Sequence, residues 1–272
     1  MPATLSLFHP PQPTAPRVRT TRDRQRLLTR IHQKFQTITE EITLGSVTLP
    51  FTRIANPNKV LDDACAEEDR REKQTGNRLE NPPHLPYWAE LWESSRALAI
   101  ALTRLHSPKP RDANPGPSSL RVLDLGCGMG LAGATAAALG YQVTLADLEP
   151  PALLFASLNT FPYQTTVRQL NWQTDRLHQQ FDFILGADIL YERAQWPYLN
   201  EFWLTHLAPN GSILLAEPHR PSGDLFIPWI RDHDWALRQS TQPATPQKSI
   251  RLFRLTRLTS PADPKYSRQL LV

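Results

Sequence analysis

Between residues 120 and 139 a short β-type run, RVLDLG, passes without a break into GCGMGLAG and an alanine-rich stretch. A strand, a glycine turn and a helix in immediate succession form the opening of a nucleotide-binding α/β unit, in which the ligand lies against the turn. Gly126, Gly128 and Gly130 let the backbone bend sharply and approach a ligand, because a side chain there would take up the ligand's volume. The spacing predicts a slot of nucleotide size.

Two details select among nucleotides. Dinucleotide folds use G-x-G-x-x-G, with pyrophosphate over the helix N-terminus. Here the third glycine, Gly130, follows the second by two residues, and an acid, Asp124, stands two residues before the first. A carboxylate that close repels a pyrophosphate but suits a ligand bearing an ammonium and a sulfonium. The expected cofactor is therefore S-adenosyl-L-methionine rather than NAD. Asp147 closes the next strand, in LADLEP, about 20 residues past the turn, where a carboxylate can accept bonds from both ribose hydroxyls. Taken alone, Asp147 also reads as a cap on the helix that starts at Pro150.

The alternation continues along the chain. Strands are predicted at 120–125, 142–146, 165–170, 181–187, 212–217, 235–240 and 250–256, and helices at 131–139, 151–160, 194–207 and 225–232. This pattern predicts an α/β fold: a doubly wound, mainly parallel seven-stranded sheet of Rossmann-like type, with its ligand beyond the carboxyl ends of the strands.

Ahead of that unit, residues 1–16 are Pro-rich and aperiodic, so disorder is expected. Residues 17–36 read as a basic helix, and 40–55, with β-branched residues on both sides of Gly45, as a hairpin. Residues 57–73 read as a helix with Glu67 and Arg71, and Asp69 and Lys73, paired at i, i+4 on a solvated face. The stretch from His84 to Leu105 opens with a Pro-bounded aromatic turn and becomes an amphipathic helix. SPKPRDANPGPSS, 107–119, reads as a linker. The domain reading is a basic extension (1–38), a hairpin with helices (39–106), the linker (107–119), the cofactor domain (120–258) and a tail (259–272).

Charge and cysteine usage narrow the classes of partner. The net charge of +4 on 272 residues comes from a segment holding Arg17, Arg19, Arg22, Arg24, Arg26, Arg30 and Lys34 against Asp23 and Glu40. The rest is nearly balanced, so nucleic acid is not an expected partner. No apolar run approaches the roughly 18 residues of a membrane-spanning helix. Cys65 and Cys127 have no companion at metal-ligand spacing, so no metal is expected. Two lone cysteines fit a reducing compartment: the cytoplasm, or the mitochondrial matrix if the basic arm is a transit peptide. A monomer is expected.

VLDLGCGMG followed by ADLEP resembles motif I and its successor in class I S-adenosylmethionine-dependent methyltransferases, over roughly 120–256. The resemblance implies a seventh strand antiparallel to the rest. It implies contact of Asp124, Gly126, Cys127, Gly128 and Gly130 with the methionine moiety, and of Asp147, with Leu148 beside it, with the ribose. Ala187, at the end of the fourth strand, completes the cofactor set. The family places an acid near the adenine at the end of the third strand, where LNWQT offers Asn171 and Trp172 instead. Trp172 reads equally as a packing aromatic.

Methyl transfer from a sulfonium is an in-line displacement, so the enzyme mainly holds an unprotonated nucleophile in line and excludes water. FILGADILYE puts Asp188 and Tyr191 just past the fourth strand. D-x-x-Y there resembles the acceptor motif of the family 16 lysine methyltransferase branch, in which the acid and the tyrosine face the target amine. The alternative is that Asp188 caps the next helix and Tyr191 packs. PYWAELWESSRALA, and AEPHRPSGD with Glu217, Pro218, Arg220 and Pro221, resemble segments of the same branch. By resemblance Trp88 and Trp92 wall the cofactor and acceptor space, Trp88 more than Trp92, with Glu93 a polar contact. The alternative is a buried helical stripe of Trp92, Leu98 and Leu102. The expected activity is N-methylation of protein lysines. A small-molecule (nicotinamide-like) N-methyltransferase and a non-catalytic cofactor-binding module are the alternatives.

Overall fold

The computed structural model describes residues 20–76, 85–105, 120–245 and 248–258. The expectations for 1–16, for the 107–119 linker and for the 259–272 tail lie outside the described residues.

Helix α1 (Thr21–His32) begins with a reciprocal cap, in which the Thr20 hydroxyl accepts from the Asp23 N–H and the Asp23 carboxylate accepts from the Thr20 N–H. Such boxes satisfy two donors that a helix start leaves open. The helix is basic outside, but Leu27, Leu28 and Ile31 pack it onto the body, and Ile31 is fully buried. Strands β1 (Thr37–Leu44) and β2 (Val47–Ile54) form the expected hairpin about Gly45. Helix α2 (Pro57–Thr75) starts at an Asn56 cap and stops at the left-handed Gly76. On its solvated face Glu67 meets Arg70, one turn on at i, i+3 and 2.5 Å, and not Arg71 as expected. Both spacings lie within reach of a long side chain, and Arg70 takes the contact.

A 3-10 turn, Tyr87–Ala89, leads into α3 (Glu93–Leu105). The remaining order is β3 (Arg121–Leu125), α4 (Leu131–Ala138), β4 (Gln142–Asp147), α5 (Pro150–Asn159), β5 (Thr165–Gln169), β6 (Phe181–Ala187), α6 (Trp196–His206), β7 (Leu207–Glu217), α7 (Pro221–Arg231), β8 (Trp235–Thr245) and β9 (Lys248–Arg257). The predicted sheet is present, with strand order β5-β4-β3-β6-β7-β9-β8 and β9 antiparallel to both of its neighbours. Strand β7 starts at Leu207 rather than at 212. An irregularity between Phe181 and Phe183 lets Leu207 pair with Phe181 ahead of the Pro209, Asn210, Gly211 segment that reads as a turn.

The chain moves outward from β3 to β5 and then returns to β6 on the other side of β3, so the direction switches between β3 and β6. Open α/β sheets bind ligands at such a point, beyond the strand ends. Helices α6 and α7 cover one side of the sheet through Trp196, Trp203, Phe202 and Phe226, and α3 and α4 pack over Val122, Val143 and Leu145. Truncating one such buried tryptophan to alanine costs about 3–5 kcal/mol. A third cluster joins α1 and the hairpin to α4 and α5 through Phe51, Phe155 and Met129. At its edge the buried Asn159 accepts from the Thr52 N–H at 2.8 Å and donates to the carbonyls of Thr52 and Met129, both at 2.9 Å. One amide thereby fastens the hairpin to the glycine turn.

Candidate active site

The turn from Gly126 to Gly130 leaves the end of β3 with positive φ at all three glycines. Their reasons differ. A Cβ on Gly130 would stand 3.0 Å from both Cα and Cβ of Ala156, so packing excludes a side chain there. A Cβ on Gly128 would meet only the Trp88 carbonyl oxygen, at 3.7 Å, so the space above Gly128 is open. Gly128 is the point at which a ligand can come down onto the backbone. The Cys127 N–H donates to the Ala146 carbonyl, which locks the turn to β4. Gly133 belongs to the same construction although its spacing gave no sign of it. Its N–H donates to Asp124 Oδ2 at 2.7 Å, and a Cβ there would strike that same oxygen.

Asp124 is 1% exposed. Burial raises its pKa to about 7 against the opposing Gly133 N–H bond, and Asp147 adds to the rise. The resemblance implies contact with the methionine moiety, whereas the structure closes the side chain off beneath the turn. Its contact is with the Gly133 N–H of α4. Asp147 sits where expected, at the mouth: Oδ2 accepts from the Gly128 N–H at 2.7 Å and Oδ1 from the Glu149 N–H at 3.0 Å. It is therefore not the N-cap of α5, a position held by Glu149. Burial raises its pKa as well. A carboxylate has about four acceptor sites, so each oxygen keeps capacity for a further donor. Leu148 is half-buried beside it, and its carbonyl accepts from Gln169.

At the end of β5, Asn171 Oδ1 accepts from the Gln173 N–H, and Trp172 Nε1 donates to Gln195 Oε1 at 3.0 Å. Trp172 packs on the main core with its ring edge beside Gly126. It walls the turn with carbon, and its polar atom is engaged elsewhere. Trp88 does the same on the other side: its ring packs on Phe35 and Phe155 at 5.5 and 5.9 Å, and its backbone carbonyl is the group that faces Gly128. Of the Trp88 atoms it is the carbonyl oxygen, not the ring, that a Cβ on Gly128 would meet. The slot's acidic, glycine-lined mouth, with no basic side chain in GCGMG or ADLE, suits a ligand that pairs a cationic sulfonium and ammonium with ribose hydroxyls.

The acceptor side is built on β6 and β7. Beyond Ala187, Asp188 takes a left-handed φ of 56° and donates its N–H to the Ala216 carbonyl. Its carboxylate caps no helix. Arg220 holds it with two bonds, Nε to Oδ1 at 2.9 Å and Nη2 to Oδ2 at 2.6 Å. The guanidinium lies over Trp92, 5.6 Å from the ring centroid, and the Trp92 indole donates to the Tyr87 carbonyl. Tyr87 meets Tyr191 edge to face at 6.0 Å. Trp92, and not Trp88, is thus the tryptophan beside Asp188. Burial, together with Glu192, Tyr87, Asp188 and Asp147, raises the Tyr191 pKa, so the phenol stays neutral. Glu93 is turned away to Lys248, 2.7 Å off.

Behind this wall lies a buried charge cluster that the sequence did not announce. Glu217 pairs with Arg251 of β9, and both are nearly inaccessible. Glu217 Oε2 also accepts the Arg220 N–H at 2.8 Å, and Arg251 reaches the exposed Asp224 at 2.5 Å. The one available signal was an arginine set among the apolar residues of the last strand.

Comparison with known proteins gives the family. Residues 87–230, more than half of the chain, match the lysine methyltransferase family (Methyltransf_16). Protein N-lysine methyltransferase METTL21A of Xenopus tropicalis is 36% identical over 122 residues, 42% of this chain and 53% of that protein. EEF1A lysine methyltransferase 3 of Xenopus tropicalis is 35% identical over 107 residues, 37% and 47% of the two chains. The electron transfer flavoprotein beta subunit lysine methyltransferase of Danio rerio is 30% identical over 142 residues, 50% and 51%. The chain spans about half the length of these relatives. With the matched segment running from the aromatic turn through the glycine turn to α7, the chain belongs to the lysine methyltransferase family.

Proposed function

We propose that the chain is an S-adenosyl-L-methionine-dependent N-methyltransferase that acts on lysine side chains of a protein. The observation that carries this reading is the meeting of two half-sites at the strand ends: the acidic glycine turn of β3 and β4, and the tyrosine-walled carboxylate of β6. Family membership supports lysine as the acceptor. Two of the relatives are named for different protein targets, so the reading commits to the residue and leaves the target protein to experiment.

The backbone at Gly126, Cys127 and Gly128 would hold the methionine portion, and Asp147, with its free lone pairs, the ribose hydroxyls. When bound, the sulfonium supplies a methyl carbon in one displacement, its C–S electron pair passing to sulfur. Tyr191, neutral by its raised pKa, can accept an amine N–H through its phenol oxygen and leave the nitrogen lone pair free to attack. Tyr87, Trp92 and Tyr191 form the aromatic wall of that side, with both tyrosines open to solvent where a substrate can cover them. The free cysteines, Cys65 exposed and Cys127 buried, support work in a reducing compartment such as the cytoplasm.

The test is to incubate the chain with methyl-labelled cofactor and a cell lysate. The expected result is label in protein, located on lysine Nε by mass spectrometry. Label confined to small metabolites would replace the acceptor class. No labelling, with no cofactor binding by calorimetry, would leave a non-catalytic protein.

A further inference from the structure

The exposed partner in the acceptor wall is not the carboxylate. The side chain of Asp188 is 4% exposed and that of Arg220 is 37% exposed, so an amine arriving beside Tyr191 meets the guanidinium first. Arg220 is fixed at three places: its N–H on Glu217, its guanidinium face on Trp92, and its fork on both oxygens of Asp188. A bidentate fork of this kind is a geometry that lysine does not reproduce. Asp188 keeps Arg220 firmly charged.

A bare carboxylate beside a lysine ammonium would stabilise the charged form and raise its pKa. That works against methyl transfer, because the nucleophile is the neutral amine, and each unit of pKa removes about tenfold of it at a given pH. A guanidinium locked onto the carboxylate cancels that field. Resting on the reading of Asp188 and Tyr191 as the acceptor wall, we propose that Arg220 is a specificity-determining residue that neutralises Asp188, so that the site takes lysine as its uncharged amine. The ammonium gives its proton to water before attack. The nitrogen lone pair then forms the N–C bond as the C–S pair moves to sulfur, and the product leaves as the methylated ammonium, with one proton released to water per methyl transferred.

The other charged groups around this wall are Asp147 and Glu192 near Tyr191, and Glu217, Arg251 and Asp224 behind Arg220. They are common to every variant in the comparison, which therefore isolates Arg220. Arg220→Met removes the charge and keeps the stem, Arg220→Lys keeps the charge, and Asp188→Asn leaves the guanidinium unopposed. Asn tolerates the left-handed backbone at 188. The first readout is the pH below which labelling of the principal lysate protein falls off at saturating cofactor. For a charge at this range, Arg220→Met is expected to move that limb up by about one to two pH units, and Asp188→Asn to move it down. Arg220→Lys should stay near the unmodified protein.

The second readout needs no cofactor: n-butylammonium, titrated at pH 7 by NMR, should bind Arg220→Met at least about tenfold more tightly than the unmodified protein. A limb that stays put in Arg220→Met, or moves the same way in both charge variants, overturns the proposal. So does n-butylammonium binding no tighter in Arg220→Met, undetectable binding in both included. If the unmodified chain labels no protein at all, the methyltransferase reading fails, and the n-butylammonium comparison still decides the charge argument.

Discussion

On the β3 and β4 side the site is made of backbone: three positive-φ glycines, N–H groups held by Asp124 and Asp147, and the Cys127 N–H donated to the Ala146 carbonyl of β4. On the β6 and β7 side it is made of side-chain charge: Asp188 on Arg220, and Glu217 on Arg251. The first half is stiff because its donors and acceptors are close in sequence and leave the chain few conformations. The second is stiff only while every charge keeps its partner, since an unpaired buried ion is far costlier than a lost neutral bond. A site can thus be preorganised in two ways within a few residues of the same sheet edge, and each half should fail in its own manner.

The largest expected effect lies on the charged side. Glu217→Leu leaves Arg251 buried with only the exposed Asp224, and should cost about 3–5 kcal/mol in urea unfolding. A loss under about 1 kcal/mol would break the contrast between the halves. Next is Asp124, the one strongly perturbed acid on the backbone side. Its folded pKa of about 7 lies above the ordinary 3.8, so its contribution to stability is present below pH 4 and is lost as pH rises through 7. That drop is at most about 4 kcal/mol. Unfolding free energies measured across this range should show the slope in the unmodified chain and a flatter profile in Asp124→Asn.

In Gly128→Val the new Cβ makes only an ordinary contact with the Trp88 carbonyl oxygen, but a β-branched residue is forced to a left-handed φ, for about 1–3 kcal/mol. Its methyls enter the open space above the turn, and calorimetry should find no cofactor binding. Smallest is Asp147→Asn, which retains an acceptor for the Gly128 N–H. It should leave the fold nearly unchanged and weaken cofactor binding about tenfold, the worth of one charged hydrogen bond. If Asp147→Asn unfolded the chain instead, the backbone half would be shown to depend on charge after all.

The same division explains what could be read from the sequence. Strand β6 and the strand-turn-helix at residues 120–139 were legible because period, glycine spacing and a strand-end acid are local signals. The partners of Asp188 and Glu217 were not, being 32 and 34 residues away, at the start of α7 and on β9. The surroundings of the two tryptophans of the aromatic turn were not legible either. A short 3-10 turn carries no period from which to tell that the Trp88 ring faces Phe155 and that Trp92 supports Arg220. Asp124 was legible as a residue of the site but not as a buried one, since depth under a turn depends on Gly133 and α4 folding over it.

Asn159 ties Thr52, 107 residues before it, to Met129, 30 residues before it. Whoever transplants the glycine turn into another scaffold has to carry the hairpin along. Cut away the first 54 residues, and the amide of Asn159 faces a seam stripped of two of its three partners, with the floor of the nucleoside slot hung from what remains.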